Sequence, residues 1–490
     1  MHLAELADAR AQRAVFSRCI SDDAVALTNG EFAARVRSVA GLLAQHGVRR
    51  GDVVATLLAN RVELVLTLFA AWQLGAAVTP INPALTDAEA AYQLEDSAAR
   101  LVVVDNRPSP SGTALALEVA EFWTAPIEVE TGDPVLDPAG LALLIYTSGT
   151  TGKPKGVMLD HANLEAMCAM MLDAFELDQN DRCLLVLPLF HVNGIVVSVL
   201  SPLLAGASTT IAGRFSPGRF FDDVRRCRPT YFSAVPAIYA MLSNLPETVR
   251  PDTSSLRFVV CGAAPMPAEL ITRFERRFGV TLVEGYGLSE GTCASTVNPL
   301  QGVRKPGTVG LPLPGQRVEL WDPDGNPVAP GESGEVVISG PNVMRGYLNR
   351  PGETAKTVVD GWLHTGDIGR FDSDGYLVLV DRVKDMIIRG GENLYPKEIE
   401  SVIYQHPAVL EAAVIGRAHE IYGEVPVGYV SLRDSVPAAA VTVEDLLAHC
   451  RANLSSYKVP VELTVLPTLP KNSVGKIDKP TLRRALATTS

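Results

Sequence analysis

The feature that most constrains this chain is an alternation that runs from residue 31 to residue 283. Short apolar runs take turns with segments of helical hydrophobic spacing. The spacing predicts helices over 31–46, 62–74, 162–175, 195–204 and 268–278. Strands are predicted over 53–58, 101–104, 141–146, 183–187, 258–261 and 281–283. Strands fed through helices pair in parallel, and such sheets are covered on both faces. The fold class expected is therefore α/β, with parallel sheets. Two stretches without formal charge, 64–86 and 183–213, raise the question of a membrane. Gly75, Pro80 and Pro83 interrupt the first, and Pro188, Gly194 and Pro202 the second, so both read as buried core.

The texture changes after Val303. Pro314-Gly315, Asp324-Gly325, Pro330-Gly331 and Asp374-Gly375 punctuate alternating runs at 317–320, 334–338 and 376–380. These predict antiparallel strands in a smaller, barrel-like sheet. A compact α+β pattern follows, with helices near 396–405 and 443–454. For 490 residues this gives two unequal domains: 1–382, a hinge at 383–385, and a small mobile domain over 386–490.

Charge narrows the partners. The net charge is −12 and no Lys/Arg run occurs, so nucleic acid is not the expected partner. Seven cysteines stand far apart with no C-x-x-C pair, which argues against a disulfide framework or thiolate zinc site. The start carries acids where a signal peptide has basic residues, so a reducing, cytoplasmic setting is expected, without a transmembrane segment. Oligomeric state is not legible.

The segment that carries the most chemistry is Tyr146-Thr147-Ser148-Gly149-Thr150-Thr151-Gly152-Lys153-Pro154-Lys155-Gly156. Its glycines allow tight backbone with exposed N–H groups, its hydroxyls add donors, and its lysines favour a polyanion. It reads as a polyphosphate cradle, although its spacing is not that of a P-loop. Four further motifs follow: Pro188-Leu189-Phe190-His191-Val192-Asn193-Gly194, Gly262-Ala263-Ala264-Pro265, Glu284-Gly285-Tyr286-Gly287-Leu288-Ser289-Glu290, and Gly361-Trp362-Leu363-His364-Thr365-Gly366-Asp367. The last two are Asp381-Arg382-Val383-Lys384 running on to Arg389-Gly390-Gly391-Glu392-Asn393, and Pro470-Lys471-Asn472-Ser473-Val474-Gly475-Lys476.

Taken in order, these motifs resemble those of the adenylate-forming superfamily of acyl-CoA synthetases, peptide-synthetase adenylation domains and luciferases. The likeness runs from about residue 27 to 476 and points to the fatty-acid or aryl-acid CoA ligase branch. It implies ATP, Mg2+ and coenzyme A as co-substrates, and an acyl-AMP intermediate. Residues 147–152, with Lys155, would hold the phosphates. Gly262, Ala263 and Ala264 would wall the adenine, Tyr286 would stack on it, and Glu284, Gly285 and Gly287 fall in the same nucleotide motif. Ser289 would reach the α-phosphate, and Glu290, with Thr147, would hold the metal. Asp367 would bind the ribose and Arg382 ribose or phosphate. Lys384 would be the pivot, Gly390, Gly391 and Glu392 would border the CoA tunnel, and Lys476 would catalyse adenylation. His191 would gate an acyl pocket lined by Val192, Asn193, Gly194, Val196, Val235, Gly287 and Leu288.

The walls expected for that pocket, residues 191–197 and 232–236 with Gly285, Gly287 and Leu288, carry no formal charge. A second carboxylate there would be buried without a partner. Alpha-amino-acid enzymes of the superfamily place an Asp within the segment matching 190–194, and malonate-type ligases an Arg at the position of Gly285; this chain has neither. An apolar-tailed monocarboxylate is thus expected, a fatty acid with medium to long chains favoured, or an aryl acid, with Gly285 and Gly287 leaving depth for the chain or ring. The 190–194 stretch also resembles ligases for small acids such as oxalate, which commonly have a second His at the Asn193 position. Other readings are an acyl-AMP ligase loading a carrier protein, disfavoured by the tight 340–393 stretch, and a non-catalytic nucleotide binder, disfavoured by the complete motif set.

Overall fold

The computed structural model describes residues 1–126, 132–147, 153–264, 266–382, 385–389, 392–419, 421–433, 441–471 and 477–489, with the backbone only at 381, 382, 392, 393 and 487–489. The chain divides into two units. One is Met1–Val318 with Val337–His364; the other is Glu319–Val336 with Thr365–Ser490.

The first unit is built on two large sheets. The seven-stranded sheet runs in the order Gly346–Tyr347, Lys155–Asp160, Leu141–Thr147, Ala77–Pro80, Val53–Thr56, Leu101–Val104, Leu115–Glu118. The nine-stranded sheet runs Leu311–Pro312, Thr296–Val297, Thr281–Tyr286, Phe258–Cys261, Tyr231–Ala234, Arg182–Leu185, Ser208–Ile211, Arg18–Ser21, Ala26–Thr28. Each is parallel through its middle, as expected; the nine-stranded sheet is antiparallel at both edges and the seven-stranded sheet at the Gly346–Tyr347 edge, its other edge strand, Leu115–Glu118, being parallel. The edges depart from expectation for a geometric reason: a short turn can return a chain antiparallel, whereas a parallel partner needs a long crossover.

The uncharged stretches are core. Every residue of the helix Val62–Gln73 is buried, and so is every residue of the strand Ala77–Pro80. Glu63, the acid on that helix, is tied to Arg61 at 2.8 Å and accepts from the Trp123 indole at 2.8 Å. Helix starts are set by side chains. Thr28 with Glu31 and Thr86 with Glu89 form reciprocal capping boxes ahead of Asn29–Gln45 and Asp87–Asp96. Among the described residues, no helix is long and apolar enough to cross a membrane.

The turn-rich region yields antiparallel strands, with Trp362–Phe371 paired to Leu377–Arg382. The rest of the second unit is α+β. Ile387–Arg389, Glu392–Leu394, Val409–His419, Gly423–Leu432 and Glu462–Val465 form its sheet, with helices Pro396–Tyr404, Val443–Asn453 and Lys479–Thr489. Ile387, Leu394, Ile399, Val414, Val430 and Leu463 centre its main core.

Candidate active site

The phosphate-loop candidate is flanked by two paired strands. Leu141–Thr147 and Lys155–Asp160 pair antiparallel with Thr147 opposite Lys155. The sequence reading passed over the second strand, because its mixed run reads equally as an approach to the next helix. Ser148, Gly149, Thr150, Thr151 and Gly152 lie outside the described residues. The described residues on either side of them are held by side chains. The Tyr146 hydroxyl donates to Asp96 Oδ2 at 2.8 Å, and the Tyr92 hydroxyl donates to the Pro154 carbonyl at 3.1 Å. Arg350 donates to the Tyr92 hydroxyl at 3.0 Å, and the Lys153 ammonium stands 5.4 Å from the centre of the Tyr92 ring. Burial, then Asp96, push the Tyr146 phenol well above its ordinary value, so it remains a donor. Lys155 pairs with Glu353 and lies 4.8 Å from the centre of the Tyr347 ring.

The parallel strands Tyr231–Ala234, Phe258–Cys261 and Thr281–Tyr286 end together, with Ala234 beside Cys261 and Cys261 beside Glu284. Their C-terminal ends present Val235, Gly262–Ala264 and Gly285–Glu290 at one edge, where open α/β sheets bind ligands. Ala263 takes a left-handed conformation, φ 68°, as the chain turns off its strand. Buried Glu284 accepts from the Met266 N–H at 3.1 Å. Ser289–Gly291 is a short 3-10 turn closed by Thr292 and Cys293, both at positive φ. Glu290 Oε1 accepts from the Tyr347 hydroxyl at 2.8 Å, and its carbonyl accepts from Met344 N–H at 2.9 Å. One carboxylate with oxygens left over suits Mg2+, which takes few protein ligands and keeps phosphate oxygens and water.

Gly287 does not supply depth to a pocket, contrary to the sequence reading: a Cβ there would lie 2.0 Å from the Cys293 carbonyl oxygen, so neighbouring backbone requires the glycine. At Gly285 a Cβ would lie 3.0 Å from the Thr296 oxygen, a tight contact that a small shift relieves. At Gly262, by contrast, a Cβ would meet nothing closer than 3.8 Å, one of the atoms at that distance being Asn193 Nδ2.

The acyl-wall candidate follows the strand Arg182–Leu185. Asn60 pins the loop, donating to the Leu187 carbonyl at 2.9 Å and accepting from Leu189 N–H at 2.8 Å. His191 lies against Phe190, ring centres 4.6 Å apart. Gly194 is forced by the Pro188 carbonyl, 2.6 Å from where a Cβ would stand. The helix then widens into a π turn over Val196–Leu200, a feature frequent at functional sites. The carbonyls of Val197 and Ser198 within it accept from the Tyr231 and Thr209 hydroxyls at 2.9 and 2.8 Å. Val196 is wholly buried in the main core, while Val235 and Leu288 are half-buried. The Ser233 hydroxyl donates to Asn193 Oδ1 at 3.0 Å, which turns the amide.

In the second unit, Asp367 and Arg382 sit opposite each other on paired strands. Asp367 is buried, and its N–H donates to Thr365 Oγ1 at 3.1 Å. Glu392 pairs through its backbone with Arg389. Lys384, Gly390, Gly391 and Lys476 lie outside the described residues.

All seven cysteines are free. Burial pushes the Cys293 thiol up to about 12, and burial followed by Glu284 pushes Cys261 well up, so neither supplies a thiolate nucleophile. Tyr92, Asp96, Tyr347, Arg350 and Glu353 were missed from sequence. They are ordinary residues in ordinary contexts, and only the fold brings them under the loop.

Residues 4–348 match the AMP-binding enzyme family, and residues 398–476 match the AMP-binding enzyme C-terminal domain. A feruloyl-CoA synthase from Amycolatopsis sp. is 39% identical over 482 residues, 97% of each chain. An oxalate–CoA ligase from Arabidopsis thaliana is 37% identical over 473 residues, 90% of each. The solved o-succinylbenzoate-CoA synthetase of Bacillus subtilis, in complex with its acyl-adenylate intermediate, superposes with a TM-score of 0.89 at 32% identity over 98% of both chains. With this sheet architecture, these strand-end motifs and matches over almost its whole length, the chain belongs to the AMP-binding, adenylate-forming enzyme family, in its acyl- and aryl-CoA ligase branch.

Proposed function

We propose that this carboxylate–CoA ligase, which works through an acyl-AMP, takes an apolar-tailed monocarboxylate, with an aryl acid favoured over a fatty chain. ATP with Mg2+ and coenzyme A are its co-substrates. In the first half-reaction a carboxylate oxygen attacks the α-phosphorus, forming the mixed anhydride as the bond to pyrophosphate breaks. In the second, the CoA thiol loses its proton and its sulfur attacks the acyl carbon, and AMP leaves. No covalent enzyme intermediate is needed, so the protein's work is positioning and charge stabilisation.

Within this reading residues 147–152 and Lys155 hold the phosphates, and Glu290 would hold the metal ion, which would supply positive charge to offset theirs. The strand ends at Gly262–Ala264 and Tyr286 hold adenine, with Glu284 and Ser289 in the same turn-rich edge. Asp367 and Arg382, neighbours across one strand pair, hold ribose. Lys476 neutralises charge as the carboxylate meets the α-phosphate. Lys384 is the pivot that exchanges Lys476 for the Gly390-Gly391-Glu392 face before the thiol attacks.

The observation that carries the choice of acid is the chemistry of the acyl wall. Val192, Gly194, Val235 and Leu288 carry no charge, and the Ser233 hydroxyl occupies the Asn193 amide oxygen. A second carboxylate in such a wall would be buried without a cation, at a cost of several kcal/mol or neutralisation of the acid. With Gly287 accounted for by backbone approach, one of the two glycines that favoured a deep fatty-acid tunnel no longer supports it. The likeness to a feruloyl-CoA synthase adds weight to an aryl acid.

A small polar acid is the second reading. It draws on the Asn193 amide, whose nitrogen lies 3.8 Å from the Cβ position at Gly262 and could donate to a second oxygen. Pyrophosphate release with Mg-ATP, over ferulate, cinnamate, benzoate, straight chains from acetate to palmitate, malonate and oxalate, with and without CoA, separates the two. A maximum among the aryl acids that rises with CoA is expected. Turnover of oxalate alone would select the second reading, and indifference to CoA would point to a carrier-protein thiol.

A further inference from the structure

We infer that Tyr347 is a positioning residue for the metal carboxylate, joining the phosphate hairpin to Glu290; this rests on the reading of Glu290 as the magnesium ligand. Tyr347 lies on a two-residue edge strand, Gly346–Tyr347. That strand pairs antiparallel with Lys155–Asp160, the outgoing arm of the hairpin, with Tyr347 opposite Val157. The Leu348 N–H donates to the Gly156 carbonyl at 2.8 Å, so the strand is bolted directly beside Lys155. From there the side chain crosses to the other large sheet, where its hydroxyl donates to Glu290 Oε1 at 2.8 Å.

Each contact constrains the next. Lys155 places its ammonium 4.8 Å from the centre of the Tyr347 ring and pairs with Glu353. A cation over a phenol face is favourable and makes the O–H a better donor. The ring is buried. Its hydroxyl occupies one Glu290 oxygen and fixes the plane of the carboxylate, which leaves the second oxygen and the remaining lone pairs for a cation. The backbone around Glu290 is held from the same segment. Met344 N–H donates to the Glu290 carbonyl at 2.9 Å, and Asn342 Nδ2 donates to the Gly291 carbonyl at 3.0 Å. Segment 342–347 thus grips both the main chain and the side chain of the metal-binding turn.

Partners that orient a metal ligand typically affect metal affinity or activity by about 10–100-fold. Tyr347→Phe removes the hydroxyl and keeps the ring under Lys155. Adenylation should then need roughly tenfold more Mg2+ for half-saturation, measured as pyrophosphate release at fixed ATP. Thermal stability and thioester formation from supplied acyl-AMP should stay near wild type. Glu290→Gln is measured in parallel. A rise in the magnesium requirement in both variants supports the inference. A rise in Glu290→Gln with a wild-type requirement in Tyr347→Phe overturns the role of Tyr347 alone. No rise in either overturns the reading of Glu290, and Tyr347 falls with it. A rise in Tyr347→Phe alone would mean that the phenol acts on the metal by another route, which also overturns the inference.

Discussion

The metal corner and the acyl wall meet the same sheet edge but are built in opposite ways. In the corner, Lys155, Glu353, Tyr347 and Glu290 come from separate elements and are joined by an ion pair, a cation–ring contact and a charge-assisted hydrogen bond. In the wall, Val192, Gly194 and Ile195 are held by apolar packing and by backbone bonds, with Asn193–Ser233 a polar pair among them. A linked polar set leaves its members little freedom of placement, because each contact fixes the next. An apolar wall accepts volume-conserving swaps at less than about 1.5 kcal/mol. The contrast explains how relatives of similar identity are named for acids as unlike as ferulate and oxalate. On the reading proposed above, the chemistry is fixed on one side of the site and the acid is chosen on the other.

The largest effect expected lies on the chemical side. Lys476→Ala should lower acyl-AMP formation by roughly 10²–10³-fold, the scale for losing a preorganised charge at a developing anion. Thioester formation from supplied acyl-AMP should be spared, and equal losses in both half-reactions would break the two-state assignment. Two glycines then test where one side stops and the other begins. Gly287→Ala forces a Cβ to 2.0 Å from a backbone oxygen. It should cost about 1–3 kcal/mol of stability or more, and raise KM for both ATP and acid. Gly262→Ala meets only ordinary contacts near Asn193. It should melt as wild type and raise KM for ATP, whose adenine Gly262 would wall, with KM for the acid moved less. If Gly262→Ala melted as low as Gly287→Ala, close backbone approach would not be what requires glycine at 287.

Sequence and structure agree most closely where periodicity is strong. The strands Phe258–Cys261 and Leu101–Val104 and the helix Ala268–Phe278 fall at the predicted bounds. Both large sheets proved mixed at their edges, because pairing direction is decided by loop length rather than by hydrophobic pattern. The motif residues at strand ends were legible, since Gly, Ala and Ser in a row after an apolar run mark backbone left open to a ligand. Gly287 was misread in its purpose. Sequence reports that a Cβ is absent, not which neighbour excludes it. Tyr347 and Asp96 were invisible, because a tyrosine in Arg345-Gly346-Tyr347 and an aspartate closing a helix have no local signal. Their meaning depends on strands distant in sequence being paired.

A smaller effect sharpens the acyl side. Ser233 is wholly buried, and Ser233→Ala deletes the donor that turns the Asn193 amide. Leaving that amide oxygen unsatisfied costs about 1–3 kcal/mol. The variant should shift the preference between acids with polar and apolar tails several-fold, while the magnesium requirement stays put. A changed magnesium requirement would show that wall and corner are coupled after all.

The smallest effect on turnover is expected from a residue remote in role from both regions, and it separates fold from chemistry on the pH axis. His161 opens the helix His161–Ala174, with its ring 4.3 Å from that of His2 and 5.5 Å from that of Trp72. Burial, then the neighbouring His2, hold it down to about 3, against a smaller upward pull from Asp137. The folded state therefore favours the neutral ring, and the unfolded chain takes up the proton first. Stability from this group is complete above the unfolded value of about 6.5 and drains away as pH falls from there towards 3. By pH 5 the loss is on the order of 2 kcal/mol. His161→Phe keeps a ring against His2 and Trp72 but cannot titrate. Its unfolding free energy should fall less between pH 7 and pH 5 than that of the wild type, with turnover of the folded enzyme unchanged at each pH. An identical acid loss in the variant would assign the instability to other groups. A changed pH profile of turnover would mean that His161 reaches the hairpin through the strand Lys155–Asp160, and the metal corner would then extend further into the sheet than its polar contacts indicate.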